Sequence, residues 1–293
     1  MKNFLLLVFI TLAACFTPIF AKVSVAEISP ISLGFIRFGA AAVLFLITLL
    51  IRKGNLRFEK GEYPKLILLA FLCIPVNQFF FLTGIQHSYA SHSGVIYSLN
   101  PVFAYLIAIS RKYEKFYFSK LIAIILTIVG VFFVFYDGLT STGANPEVVG
   151  GDTLLLFAVL SFSLYLALGK ELIEKYGALK VSTYVFLAGS VLYIPLFIYD
   201  CHNLNFSKLT ISGITGYLYL TIIMAYLAYF AWYYALKTIA ISKITTMSNL
   251  SPLLTVFFSV IFLGEKPSAF LIIGGIIAIM GVIIMHKVSL ELN

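Results

Sequence analysis

The sequence predicts an all-α polytopic membrane protein of ten transmembrane helices, arranged as two inverted five-helix repeats. Three observations carry this fold class: an apolar composition, ten runs long enough to span a bilayer, and a match of the chain to itself at a fixed spacing of 151 residues. Of 293 residues, 61% are hydrophobic and 11% charged, against roughly 45–50% and about 25% in a soluble domain. Water cannot be the principal solvent of such a chain.

About twenty apolar residues rising about 1.5 Å each cross a hydrocarbon core of roughly 30 Å. Runs of this kind cover residues 4–21, 30–51, 66–85, 89–110, 120–136, 152–169, 181–199, 214–236, 245–262 and 269–286. The first begins as a secretory leader would, with Met1-Lys2-Asn3 and a stretch ending Leu12-Ala13-Ala14-Cys15. Its apolar character continues through Phe16, Ile19 and Phe20 to Ala21, long enough to span, so it is read as a helix rather than a cleaved signal. Three cysteines, two of them inside runs (Cys15 and Cys73), give no disulfide framework and read as small apolar fillers.

The net charge of +8 does not point to nucleic acid, because its distribution follows the membrane. With a cytoplasmic N-terminus, sixteen Lys and Arg fall on the cytoplasmic side; Lys22, Lys208 and Lys266 fall opposite and Arg37 lies within a run. That asymmetry is the positive-inside pattern, and an even number of spans returns both termini to the cytoplasm. The expected location is the inner (plasma) membrane, with lipids as the surrounding partner.

Sliding the chain by 151 residues superposes Leu99-Asn100-Pro101 on Leu250-Ser251-Pro252, Glu114-Lys115 on Glu265-Lys266, and Gly130-Val131 on Gly281-Val282. Apolar matches are cheap in membrane helices, whereas Pro, Gly and a Glu-Lys pair in one register are not. The halves are residues 1–136 and 152–293, with 137–151 as an external linker. Five spans per half force the second copy to enter from the opposite side. Such inverted repeats are the usual build of secondary transporters, which hold substrate near mid-membrane where the halves meet.

These features resemble the EamA family of the drug/metabolite transporter superfamily. The resemblance rests on Asn100-Pro101 echoed by Ser251-Pro252, the Leu263-Gly264-Glu265-Lys266-Pro267 turn, Gly150-Gly151-Asp152 at the opening of the sixth run, and the Gly-Val near each half's end. It implies a ten-helix alternating-access carrier, commonly an exporter of amino acids or other metabolites, and no single substrate.

The acidic residues fall in loops, tails or the first residue of a run, with Asp137 and Asp152 among them. Proton relays in membranes rest on intramembrane Asp, Glu or His, and the near candidates, His87 and His92, are read as interfacial loop histidines. The inventory argues against proton coupling through a buried carboxylate and favours a uniporter or exchanger. Arg37 lies about 10 Å into the second run, where a lipid-facing Arg costs on the order of 2.5–3.5 kcal/mol. It is either a clamp for a carboxylate or an Arg that snorkels outward and bonds helix-end carbonyls.

A broader substrate-binding constellation comprises Arg37, Asn77 and Gln78 of the third run, Tyr97 and Asn100 of the fourth, Tyr229, Trp232 and Tyr233 of the eighth, and Asn249 and Ser251 of the ninth. Buried amides and hydroxyls in hydrocarbon need partners. Helix-to-helix hydrogen bonding, worth about 0.6 kcal/mol per pair, accounts for any one of them as well as a ligand does. Trp232, far from the interfacial belt, is expected to face a cavity. Pro101 and Pro252 are expected to kink their helices and to act as hinges, bringing Asn100 and Ser251 to face the pseudo-twofold axis.

No catalytic motif, nucleotide-binding loop, cofactor fingerprint or metal-ligand set stands in the sequence. An enzyme is therefore not expected. The function classes left are a carrier of a small soluble metabolite, such as an amino acid, and a transporter or flippase of a lipid or lipid-linked substrate.

Overall fold

A computed structural model of the protein describes residues 2–112, 115–140, 145–204, 209–239, 247 and 250–291. In chain order the helices are α1 (Lys2–Val25), α2 (Pro30–Ile51), α3 (Lys60–His87), α4 (Ala90–Ser110), α5 (Phe118–Thr140), α6 (Pro146–Tyr176), α7 (Ala178–Asp200), α8 (Ile211–Trp232, its winding continuing to Thr238), α9 (Ser251–Leu263) and α10 (Ala269–Glu291). Among the described residues, nine of these are long and apolar enough to cross a membrane; α9 is shorter, at 13 residues. The start expected for the ninth run, at 245, lies outside the described residues. The stretch 137–151 read as a linker is largely helical. Helix α5 runs on to Thr140 and α6 starts at Pro146, capped by the Asn145 side chain accepting from the Glu147 amide. Polar end-turns remain helical after the apolar run stops.

The halves pack as pseudo-twofold mates. Helix α3 lies on α6 as α8 lies on α1; α4 lies on α6 as α9 lies on α1; α7 lies on α3 as α2 lies on α8. The pairs α2–α7, α4–α9 and α5–α10 map onto themselves. The shift of 151 is visible in atoms. A Cβ on Gly130 would meet the Ala278 amide nitrogen and the Gly274 carbonyl, and a Cβ on Gly281 would meet Thr127 and the Ala123 carbonyl, the same contact generated by the axis.

Two local departures from α-geometry recur at symmetry-related places. Helix α3 is π-wound at Leu72–Val76 around Pro75, and α8 is π-wound at Tyr219–Ala228, which contains the positions equivalent to 72–76. Helix α4 is interrupted by a 3₁₀ turn at Tyr97–Leu99, and its second segment starts at Asn100 with Pro101 in the first turn; Pro252 likewise stands in the first turn of α9. Each proline thus stands in the first turn of a regular α-helical segment. Proline's missing N–H costs nothing at a helix start.

Three acidic residues share a task at the cation-poor face, where even-numbered helices begin with their positive dipole ends and unpaired N–H groups. Asp200 of α7 accepts from the Ser29 hydroxyl, the Ser32 amide (3.1 Å) and the Ser32 hydroxyl (2.7 Å) at the start of α2. Glu265 accepts from the amides of Ala90 (2.7 Å) and Ser91 (3.0 Å) at the start of α4. Glu27 accepts from the Thr210 amide (2.8 Å) and hydroxyl (2.5 Å) at the start of α8. Those donors hold the Glu27 carboxyl below the usual carboxylate range. The tether is therefore complete at neutral pH and is lost only as pH falls through that lowered value. At the opposite dipole end, Lys22 donates to the carbonyls of Ile85 (3.0 Å), Gln86 (2.9 Å) and Ser88 (2.6 Å) where α3 ends.

Asp200→Ala is expected to lower stability by about 2–3 kcal/mol, from the loss of charge-assisted bonds to buried donors. Asp200→Asn, which keeps one acceptor oxygen, should lose about half as much. Thermal melts of the purified variants check this ordering, and equal melting of both with the parent would refute it.

Candidate substrate-binding site

Five helices converge on Arg37. The side chain is 4% exposed on α2 and lies 4.9 Å over the Phe38 ring. Its Nε donates to the Leu220 carbonyl (3.0 Å) and its Nη1 to Gln78 Oε1 (3.3 Å). The first bond depends on the winding of α8, because Leu220 lies in the π-wound stretch, where the backbone register differs from that of an α-helix. Gln78 Nε2 in turn donates to Asn77 Oδ1 (2.7 Å), and Asn77 Nδ2 donates to the Ala158 carbonyl on α6 (2.8 Å). The Tyr97 hydroxyl reaches the Asn77 side chain from the 3₁₀ turn of α4. Tyr229, whose ring packs edge-on against Phe45 and Phe186, engages the Cys73 thiol, as does Tyr165, which also reaches Ser182.

The result is a closed polar chain running from α8 through α2, α3 and α4 to α6 in the interior of the bundle. Among the described residues no carboxylate pairs with Arg37. A guanidinium carries five donors, and two of them are engaged here, so the site offers a cation, spare N–H groups, an amide pair and phenols to an incoming anion.

Arg37, Asn77, Gln78, Tyr97 and Tyr229 are therefore brought together as the sequence implies. Asn100 is not in the set. It faces α6, where the Ser163 hydroxyl donates to Asn100 Oδ1 (2.7 Å); the Ser251 carbonyl accepts from Thr255 Oγ1 in its own helix. Trp232, expected in a cavity, is 38% exposed on α8 and, among the described residues, takes no part in the hydrogen bonds of the Arg37 chain. A π-wound turn takes up more residues than the 3.6 of an α-helix, so the helical phase assumed for residues beyond 228 slips. Asn249 and the side chain of Tyr233 lie outside the described residues. Cys73, Tyr165 and the Leu220 carbonyl were missed, since a cysteine in an apolar run and a backbone oxygen carry no sequence signal of polarity.

The reading of His92 as an interfacial loop residue is overturned. It is 1% exposed in the first turn of α4. Its Nδ1 lies 2.9 Å from Asp152 Oδ2 of α6 and its Nε2 lies 3.1 Å from Asp137 Oδ2 of α5. Asp152 Oδ1 also accepts from the Ser88 hydroxyl. Both carboxylates are buried, at 3% for Asp137 and 0% for Asp152. His87 is exposed, as expected. A cleft of about 270 Å³ lined by Tyr89, Ser91, His92, Asp137, Glu265 and Lys266 opens beside the pair of carboxylates.

Among the described residues, ten helices in two halves related by a pseudo-twofold axis surround a buried cation with spare donors, the build of a polytopic membrane protein. The chain belongs to the EamA-like transporter family, whose profile matches residues 1–136 and 149–286. It is 27% identical over 283 residues to an uncharacterized transporter of Archaeoglobus fulgidus, covering 96% of each chain. It is 26% identical over 267 residues to the uncharacterized transporter YyaM of Bacillus subtilis, covering 90% of this chain and 86% of that one. A probable terminal-alkyne amino-acid exporter of Streptantibioticus cattleyicolor is 22% identical over 207 residues, covering 71% and 67%. A solved crystal structure superposes with a TM-score of 0.67 at 16% identity over 100% of this chain and 99% of that one, a likeness of fold.

Within that family's turn, Gly264 takes φ +67 and ends α9 in the left-handed conformation, its amide donating to the Val260 carbonyl (3.2 Å). The reversal is what lets the next residue, Glu265, reach the amides of Ala90 and Ser91.

Proposed function

We propose that the chain is a secondary carrier that moves a small, soluble, carboxylate-bearing metabolite such as an amino acid by alternating access. Net export or exchange across the inner membrane, with both termini cytoplasmic, is the direction and placement we assign. The observation that carries the reading is Arg37, a buried cation with unengaged donors and no carboxylate partner among the described residues. Left as it is, a buried charge is costly. A ligand carboxylate in the bidentate arrangement that guanidinium favours would offset that cost.

The enclosed position of Asn77 and Gln78, 4% and 6% exposed, favours a soluble ligand over a lipid. The breaks at Pro101 and Pro252 supply the hinge points of the moving helices. The amino-acid exporter among the relatives supports the substrate class.

Proteoliposomes containing the purified chain are to be tested with radiolabelled amino acids, nucleosides and organic anions. Saturable uptake of at least one carboxylate-bearing compound, absent from empty vesicles, is expected. Uptake confined to compounds without a carboxylate, or movement of a labelled phospholipid alone, would overturn the assignment.

A further inference from the structure

The arrangement around His92 calls for a proton that a neutral imidazole and two carboxylates do not supply. Each ring nitrogen faces a carboxylate oxygen, at 2.9 Å and 3.1 Å. A neutral imidazole has one N–H and one bare nitrogen. In that form one of the two contacts would set an acceptor against an acceptor. Both are satisfied only when the imidazole donates from both nitrogens, or when one carboxyl retains its proton. In either microstate the three groups together hold one proton more than a neutral imidazole and two carboxylates do.

The geometry points to a proton-binding site formed by His92, Asp137 and Asp152 that locks the cation-poor face of the carrier. The three residues come from α4, α5 and α6 and are nearly or wholly buried, so the proton joins three helices. Removing it leaves like partners face to face in a low dielectric, and α4 must then part from α5 or α6. The cleft beside His92 and Asp137 gives the proton a path to water.

Other titratable groups stand around the site, and the Tyr89 ring, just before α4, packs edge-on against the His92 ring with centroids 5.1 Å apart and lines the cleft. From α1, Lys22 is engaged by the carbonyls of Ile85, Gln86 and Ser88. From the α9–α10 turn, Glu265 caps α4 and Lys266 lines the cleft. His87 at the end of α3 and Glu147 on α6 are exposed. The lock acts on the helices and not on the Arg37 chain. A failure to transport amino acids would sink the substrate assignment above and leave this one standing.

The test uses the full chain in lipid nanodiscs with ¹⁵N-labelled histidine, the His92 signals being assigned by their loss in His92→Gln. At about pH 6 both ring nitrogens of His92 are expected to be protonated, and one should deprotonate in a single step at higher pH. Asp137→Asn and Asp152→Asn should each move that step by about one pH unit or more, tenfold in proton affinity. A neutral ring in one tautomer from about pH 5 to pH 9, with no carboxyl proton lost from Asp137 or Asp152 in infrared difference spectra over the same range, would overturn the site.

The lock is read separately, without any substrate, in a Cys15→Ser, Cys73→Ser background carrying Leu271→Cys. Leu271 is 2% exposed and lines the cleft, and the native Cys201 is exposed and serves as internal reference. Maleimide labelling at 271 relative to 201 should rise severalfold across the same pH range, and it should be flat when His92→Gln is added. A flat ratio in the parent, or an unchanged rise in the His92 variant, would refute the lock.

Discussion

Arg37→Gln should reduce apparent substrate affinity on the order of thirtyfold or more. Removing one partner of a buried charge pair costs about 2–5 kcal/mol, and each 1.4 kcal/mol is about a factor of ten. Arg37→Lys should recover little of this. Lys keeps the charge but not the planar fork that can hold Leu220 and Gln78 while presenting further N–H groups to a carboxylate.

A purely architectural Arg37 predicts something else. Its loss would then lower the melting temperature and the yield of folded carrier, and the surviving protein would bind with parental affinity. Measuring both the melt and the concentration dependence of uptake for the same preparations separates the two. Parental affinity in Arg37→Gln would refute the clamp.

The second large effect is structural. Gly130→Val should cost about 3 kcal/mol or more and abolish monodisperse protein, because the added carbon runs into backbone rather than into a side chain that could turn aside. A Cβ at 130 would stand 2.5 Å from the Gly274 carbonyl oxygen and also meet the Ala278 amide nitrogen. Overpacking of this kind costs about 1–3 kcal/mol even where neighbours can yield, and membrane helices depend on small residues for close approach. Gly281→Val should behave alike, since it meets the Ala123 carbonyl at 2.7 Å across the same crossing.

Gly150→Ala is the control. Nothing lies within 4 Å of its would-be Cβ, and a helical Gly→Ala change without steric conflict gains about 0.5–1 kcal/mol. Size-exclusion profiles and melts of the three variants decide the matter. A stable Gly130→Val protein would mean that α5 and α10 do not cross as closely as described.

The membrane class and the doubled architecture were legible because they rest on quantities a sequence carries directly. Span-length apolar runs survive any uncertainty about helix phase. Gly130 with Gly281, and Pro101 with Pro252, stand out against an alphabet of Leu, Ile and Phe. Arg37, Asn77 and Gln78 were legible for the same reason: polar groups deep in an apolar run must find partners.

What stayed hidden depends on departures from regular winding and on distant contacts. The π-wound stretch of α8 presents the Leu220 carbonyl to Arg37, and nothing in Tyr219–Ala228 announces it. Asp137 and Asp152 sit where hydropathy fades, so they looked like loop residues. Their shared partner, His92, lies 45 and 60 positions away in the chain.

The self-mapped crossing of α5 and α10 has a mechanical consequence. In a carrier whose halves exchange conformations, each contact in one facing state becomes its symmetry mate in the other. A contact made by a pair and also by its mate has nowhere to go. The Gly130 contacts and the Gly281 contacts are already both present, so this crossing can serve both states unchanged, like the axle of a rocker. Cross-linking α5 to α10 should therefore leave the cycle running, whereas a tie between helices whose packing has no such duplicate should stop it.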